Sequence, residues 1–364
     1  MYKNLLLFIV SICLLFLPSL LLAEETRDFD RNNDGKVDEK RFFSKDNKLI
    51  RAEIDVDKNG FFDQYLFYNK EQTVERIELD TNKDKRIDQK QFFENGKLSR
   101  TKIDADKNDF FEQELFFKGG KLVKVVFDTD ENLKNDEWQY FNLDGKVIRQ
   151  EKDRSGDGQI DEKMFFSKDN KLIRGEMDKD KDGLFDKFLF YNEDQVLEKI
   201  ELDTNKDNKI DEKQFFKNGK LARTIIDSDK NGVFDQEHFF KEDKLEKVMM
   251  DSDENDENEE WRFFNPEGKI IRQENDRSGD GQVDEKNFFD KNGKLVKTEI
   301  DTNRNFNFDK RLLYKNGVLY LVEADTNYNE VMDEYRYYNK DRKLMRIELD
   351  QNEDGEIDKV IKGK

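Results

Sequence analysis

The chain of 364 residues contains one cysteine (Cys13), one histidine (His238) and two prolines (Pro18 and Pro266). A single cysteine excludes an intrachain disulfide, so an exported protein of this size needs another source of stability. Metal binding is the obvious candidate, because binding at sites absent from the unfolded chain becomes folding energy. Pro-rich linkers and composition shifts are missing after residue 25, which leaves one array without an internal domain boundary. His238 stands where other repeats carry Arg41, Leu66 or Gln91, and reads as surface variation. No nucleophile motif, phosphate loop or thiol site is present, which argues against an enzyme. A basic surplus is missing too. The 85 acidic residues outweigh 66 basic ones for a net charge of −19, and phosphate binding needs basic patches, so nucleic acid is excluded as a partner. Charged residues at 41% would suit disorder. Against that stands a 12% aromatic content that falls in register with a repeat.

Residues 1–23 differ from everything after them. Lys3 supplies a positive start, Leu5 to Leu17 an apolar run, Pro18 and Ser19 a break, and Ala23 a small residue before Glu24. This is the pattern of a secretory signal peptide cut after Ala23. The rival readings are an uncut membrane anchor, since Leu5 to Ala23 spans 19 residues, and lipidation at Cys13 behind a weak Val10-Ser11-Ile12 motif. Cleavage leaves no membrane span and places the chain in a secreted, periplasmic or cell-surface setting.

From residue 24 to 364 an aspartate recurs every 24 or 25 residues, fourteen times, from Asp30 to Asp350. Each opens a nine-residue acidic loop, as in DRSGDGQID from Asp153 and DKDKDGLFD from Asp178. A period of this length signals a repeat architecture. Between loops the sequence reads strand, turn, strand: after Asp80–Asp88 comes a strand over Ile87–Phe93, a turn at Asn95-Gly96, and a strand over Leu98–Ile103. Paired aromatics such as Phe42-Phe43 and Phe165-Phe166 end the first strand, one residue per face. Ile54, Leu79 and Ile103 precede the next loop, while Arg51, Arg76 and Arg100 alternate to the opposite face. The fold class is therefore all-β. About 14 tandem β-hairpins form a solenoid or elongated curved antiparallel sheet, with a β-propeller as the alternative. Asp30, Asp153 and Asp276 lie 123 residues apart, five repeats per step, which marks copying of a five-repeat block.

Within each loop, positions 1, 3, 5 and 9 carry side-chain oxygens, with glycine favoured at position 6 where the backbone turns. Oxygen donors alternating around a glycine turn are what a hard cation such as Ca²⁺ requires. Seven loops with glycine at position 6 form the candidate calcium sites: Asp30, Asn32, Asp34 and Asp38; Asp55, Asp57, Asn59 and Asp63; Asp153, Ser155, Asp157 and Asp161; Asp178, Asp180, Asp182 and Asp186; Asp227, Asp229, Asn231 and Asp235; Asp276, Ser278, Asp280 and Asp284; Asp350, Asn352, Asp354 and Asp358. Asp178, Asp180, Asp182 and Asp186 supply four carboxylates and rank first. Lys85 and Asn208 are tolerable at position 6, whereas Leu133, Phe306 and Glu330 are poor turn residues and mark weak loops. Plain turn chemistry explains one Asp/Asn/Gly loop. It does not explain fourteen in register with an acid three residues beyond each position 6. Seven divalent ions would offset about 14 negative charges, and without them the carboxylates repel one another.

The D-x-[DNS]-x-[DN]-G run resembles the EF-hand calcium loop over nine residues per repeat. Position 12, the EF-hand's bidentate Glu, here holds Arg41, Leu66, Gln91 or Met164, and the flanks are strands. The loop is therefore more similar to the DxDxDGxxD sites of thrombospondin type 3 repeats and integrin-type propellers, which implies that the position-9 carboxylate ligates. A Glu two residues before the loop (Glu53, Glu78, Glu151, Glu176, Glu201, Glu274, Glu299 or Glu348) is a further candidate ligand, but an exposed ion pair with the Arg two residues earlier suits it better. The FFxxxGKL stretch is loosely similar to YD (Rhs-type) hairpin repeats.

The expectation is an exported, non-enzymatic calcium-binding scaffold, its charged outer face free for a protein or glycan partner. The alternatives are a calcium-dependent adhesin and a carbohydrate-active enzyme using paired carboxylates. The even distribution of acids over all repeats disfavours the enzyme. Trp138 and Trp261, in matching repeats, read as packing variants.

Overall fold

The structure, a computed structural model, describes residues 25–363 apart from Asp256. The signal-peptide reading and Cys13 lie outside the described residues. Twenty-eight strands run from β1 (Glu25–Phe29) to β28 (Lys359–Lys362), and no helix occurs among the described residues. The chain divides into two compact units, Met1–Gln150 and Glu151–Lys364.

In the first unit each strand from β1 to β10 (Glu137–Phe141) pairs antiparallel with the next. In the second the same holds from β12 (Glu162–Phe166) to β28, and β28 pairs with β27 (Leu344–Leu349) alone. A propeller needs a break between blades; within each unit the pairing is uninterrupted, and the sheets are open.

Two kinds of connection alternate. Five hairpins close with two consecutive left-handed residues, such as Asn95 (φ 50°) and Gly96 (φ 72°), the type I′ turn whose twist matches the flanking strands. Longer ones, such as Ser44–Lys48, are closed by hydrogen bonds back to the opening Ser, with left-handed Asn47. Because the strands alternate in direction, these turns occupy one edge of each unit's sheet and the acidic loops the other. Neighbouring loops are thus two strands, about 10 Å, apart.

Among the described residues, each hairpin with a recorded register carries a bulge at the end of its first strand, at the aromatic pair in all but one (Leu313-Tyr314), which sequence alternation did not foretell. Phe165 faces Arg174 but Phe166 faces Leu172, so Ile173 is extra. The residues bulged this way include Ile173, Ile271, Val296 and Met345, all exposed despite being apolar. Bulges of this kind bend the strand and increase its twist.

The two faces differ. One carries a row in which aromatics and cations alternate across strands. Arg174 stands opposite Phe165 and Phe190, Arg76 lies 3.9 Å from the Phe67 ring centre, and Lys199 4.0 Å from that of Phe190. Each such contact contributes about 0.5–1 kcal/mol at exposed sites. The opposite face buries small residues between longer cross-strand neighbours. Ala52 lies between Arg41 and Leu66, and Thr224 between Gln214 and His238. His238 is therefore a half-buried flank of that row rather than surface variation, and burial, only partly offset by Glu212, lowers its pKa.

Among the described residues, element contacts within each unit join only chain neighbours. Each unit is a single layer. Among the described residues only seven apolar side chains are buried, whereas thirteen of the fourteen loop-opening aspartates are (Asp30 is exposed). The interior of this protein is largely carboxylate, and the loops hold it.

Candidate metal centre

Asp178 shows how a loop is built. Its Oδ1 accepts the backbone N–H of Lys181 at 2.7 Å, and its Oδ2 that of Gly183 at 2.7 Å. Successive amides turned inward form an anion-binding nest, and the loop's own first aspartate fills it. Turning them inward requires left-handed backbone twice. Position 4 has φ of 58–74° in every loop, and position 6 has φ of 67–102° in every described case. The second requirement was legible as glycine. The first was not, because Lys often occupies it. Leu133, Phe306 and Glu330 enter the same left-handed region as the glycines, at φ of 71°, 76° and 76°, at a steric cost of about 1–2 kcal/mol each.

The other predicted donors are placed by the same logic. Position 5 accepts the amide of position 7, as Asp34, Asn59, Asp157, Asp182, Asn231, Asp280 and Asp354 do. Position 9 accepts the amide of position 2, as Asp38, Asp63, Asp161, Asp186, Asp235, Asp284 and Asp358 do. Position 1 takes the position-6 amide in the loops from Asp30, Asp55, Asp153, Asp227, Asp276 and Asp350 as well. An ionised carboxylate has about four lone-pair sites, so these bonds leave capacity for a cation.

Position 3 separates the loops. In five of the six loops where it is Asp, three carboxylate oxygens from positions 1, 3 and 9 gather within 4.8 Å of one another: Asp55, Asp57 and Asp63; Asp104, Asp106 and Glu112; Asp128, Asp130 and Asp136; Asp178, Asp180 and Asp186; Asp251, Asp253 and Glu259. Two of these belong to the seven candidate loops and three do not. Among the described residues the Asp227, Asp229 and Asp235 trio is not gathered so closely; there the Ser228 hydroxyl bonds Asp235. Asn32 and Asn352 at position 3 bond the position-5 acids Asp34 and Asp354. Ser155 and Ser278 donate to Asp153 and Asp276, both at 3.0 Å. Position 2, missed in the sequence, also matters: the hydroxyls of Thr81 and Thr204 bond the position-9 carboxylates Asp88 and Asp211 at 2.6 Å. The recurrence of Thr or Ser at that position was the available signal.

Electrostatics follow position 3. Burial raises the pKa of Asp63, with Asp57 and Asp55 adding repulsion; burial likewise raises Asp186, with Asp180 and Asp178, and Asp128, with Asp130. In the serine loops burial acts in the same direction but is outweighed. The amides of Gly158 and Gly156 and the Ser155 hydroxyl hold Asp153 below its ordinary value; Gly279, Gly281 and Ser278 do so for Asp276.

A hard cation fits this donor set, which is all oxygen. Buried Oδ1 of Asp161, Oδ1 of Asp350 and Oε2 of Glu112 have no hydrogen-bond partner, so a cation there would satisfy atoms that nothing else does. Several of the Glu residues that precede a loop pair with the basic residue two positions earlier, as in Arg76–Glu78 at 3.1 Å, Arg174–Glu176 at 2.8 Å, Arg272–Glu274 at 3.1 Å and Lys297–Glu299 at 2.9 Å.

No protein-family model matches the chain, and no curated protein does. Among solved structures it is similar to a crystal structure of TcdB2-TccC3-TEV at 11% identity and TM-score 0.18, over 85% of this chain and 18% of that one. A crystal structure of TcdB2-TccC3 without hypervariable C-terminal region gives 10% and 0.20, over 91% and 22%. One of TarM gives 13% and 0.11, over 46% and 20%. The chain thus spans about a fifth of each matched chain. Likenesses this distant carry nothing about what the protein does.

Proposed function

We propose that the chain is an exported, non-enzymatic calcium-binding repeat protein whose acidic loops take up Ca²⁺ and so stiffen the sheet into a structural or interaction scaffold. One observation carries this reading. In a single-layer sheet with almost no apolar core, five loops bring three carboxylates together, and in three of these burial and like charge push a carboxyl toward its protonated form. A divalent ion removes that repulsion. Export is supported by the N-terminal apolar run, and loops of this kind suit the millimolar-range affinities of extracellular modules. The absence of catalysis is supported by the even spread of the acids, which favours a repeated structural task over one reactive centre.

Residues 24–364 titrated with calcium by calorimetry, alongside circular dichroism melting in EDTA, test the reading. Calcium is expected to bind at several loops and raise the melting temperature. A site held at a hundred times its Kd adds about 2.7 kcal/mol. A strand signal and melting temperature indifferent to calcium would sink the reading.

A further inference from the structure

Position 4 has left-handed φ in every loop, yet only Asn33, Gly156 and Gly279 are the cheaper Asn or Gly there. In seven loops the position-4 side chain reaches the loop before it, and its chemistry matches what it meets. Lys206 of the Asp203 loop binds Asp180 and lies 2.9 Å from Asp182 Oδ2. Lys83 of the Asp80 loop binds Asp57. Lys107 and Lys230 reach the position-9 acids Asp88 and Asp211 at 3.3 and 3.6 Å. Where position 4 is Glu, the preceding loop offers amides: Asn108 donates to Glu131 at 2.7 Å, Asn231 to Glu254, and both Asn327 and Asn329 to Glu353.

The copied block supplies an internal comparison. Asp180 and Asp182 become Asn303 and Asn305 one block later, and there the next loop has Tyr328 at position 4 instead of Lys206. When the acids go, the lysine goes with them. A lysine in strained backbone that disappears with its two partner carboxylates is placed for those carboxylates.

We propose that a charged side chain at position 4 that reaches the preceding loop regulates the cation site there, with Lys206 and Lys83 acting as built-in counter-ions that compete with Ca²⁺ at the Asp178 and Asp55 loops. The inference rests on the calcium reading above. In low calcium the ammonium group offsets the crowded acids and ties adjacent loops together. Calcium entering the Asp178 loop must draw Asp180 away from Lys206, so occupancy of one loop loosens a contact of the next. Loops followed by Glu131 or Glu254 have no such competitor from that position, and gain a carboxylate close to their own donors.

The full chain with ¹⁵N-labelled glycine tests this, following the Gly183 amide through a calcium titration and the melting temperature without calcium. Lys206→Met keeps the stem and removes the charge, Lys206→Glu reverses it, and Arg304→Met is the control. Arg304 occupies the same left-handed position (φ 59°) in the Asp301 loop, away from the titrated site, with no ion pair to the loop before it among the described residues. Calcium affinity at Gly183 is expected to rise about three- to fivefold for Lys206→Met, the scale of an exposed ion pair, and further for Lys206→Glu. Calcium-free melting should fall in the same order, with the control near wild type. Calcium binding at Gly183 that is unchanged by both Lys206 variants overturns the inference and leaves the calcium reading standing. No calcium response at Gly183 in any variant overturns both, and the calcium-free melts would then report the Lys206 contact as purely structural.

Discussion

The loops from Asp153 and Asp178 are neighbours in the second unit, share a backbone and differ chiefly at position 3. In the first, Ser155 and the amides of Gly156 and Gly158 surround Asp153 and satisfy its buried charge, leaving Oδ1 of Asp161 as the atom without a partner. In the second, Asp180 replaces the serine, three carboxylates crowd within 4.8 Å, and Asp186 is pushed toward protonation by burial and by Asp180 and Asp178. One fold therefore holds two regimes. A hydroxyl at position 3 makes a loop whose first aspartate is held without a cation, while a carboxylate makes one that is strained until a cation arrives, whether lysine or metal. Ordering by glycine at position 6 alone does not separate these two loops, because both have it.

The largest expected effect comes from removing the hub. Asp178→Ala and Asp153→Ala each leave buried amides without their acceptor, at about 1–3 kcal/mol per unsatisfied group. Both variants should open their loops, seen as loss of hydrogen-exchange protection at Gly183 and Gly158. Calcium should then separate them. In wild type, Gly183 protection should rise with calcium more than Gly158 protection, and Asp178→Ala should abolish the larger rise. An equal calcium response at both glycines in wild type would break the comparison.

Much of this was legible in the sequence. The period, the loop–strand–turn–strand order, the position-6 turn and the Arg–Glu pairing all follow from local pattern, because each is set within a few residues. Strand β6 (Gln89–Glu94) starts two residues later than the alternation suggests, since Ile87 and Asp88 close the loop. The bulge at each aromatic pair was not legible, as it depends on how a partner strand registers. Nor was the gathering at Asp104, Asp128 and Asp251, where position 3 outweighs the turn residue: Leu133 is a poor choice at φ 71°, yet Asp128, Asp130 and Asp136 still meet. Contacts between loops, such as Lys206 to Asp180, were out of reach because they join residues a whole repeat apart.

A smaller effect should follow from exchanging position 3. Ser155→Asp gives the Asp153 loop the donor count of its neighbour, and Asp180→Ser does the reverse. Calcium affinity at Gly158 should rise and that at Gly183 fall, each by about tenfold or more, the lower end of what disturbing a metal site costs. Without calcium the stabilities should move the other way: Ser155→Asp loses a neutral donor and gains repulsion, while Asp180→Ser relieves it. Affinity and calcium-free protection moving together in either variant would show that position 3 acts through loop packing and not through charge.

The smallest effect is in pH, and its sign differs between the two loops. In calcium-free protein the raised pKa of Asp186 means that the folded loop holds a proton more tightly than the unfolded chain does. That contribution is fully present below the ordinary aspartate value of about 3.9 and is lost as pH rises through the higher folded value. Asp153 is depressed, so its contribution is present above about 3.9 and is lost as pH falls through its lower folded value. On acidification from about pH 6, Gly183 protection, corrected for intrinsic exchange, should therefore increase first, in the window above 3.9, while Gly158 protection holds. Below 3.9 Gly158 protection should decline. If both amides weaken together on the way down to pH 4, position 3 does not set the charge state of these loops, and the contrast between a loop whose first aspartate is held without a cation and a cation-dependent one collapses.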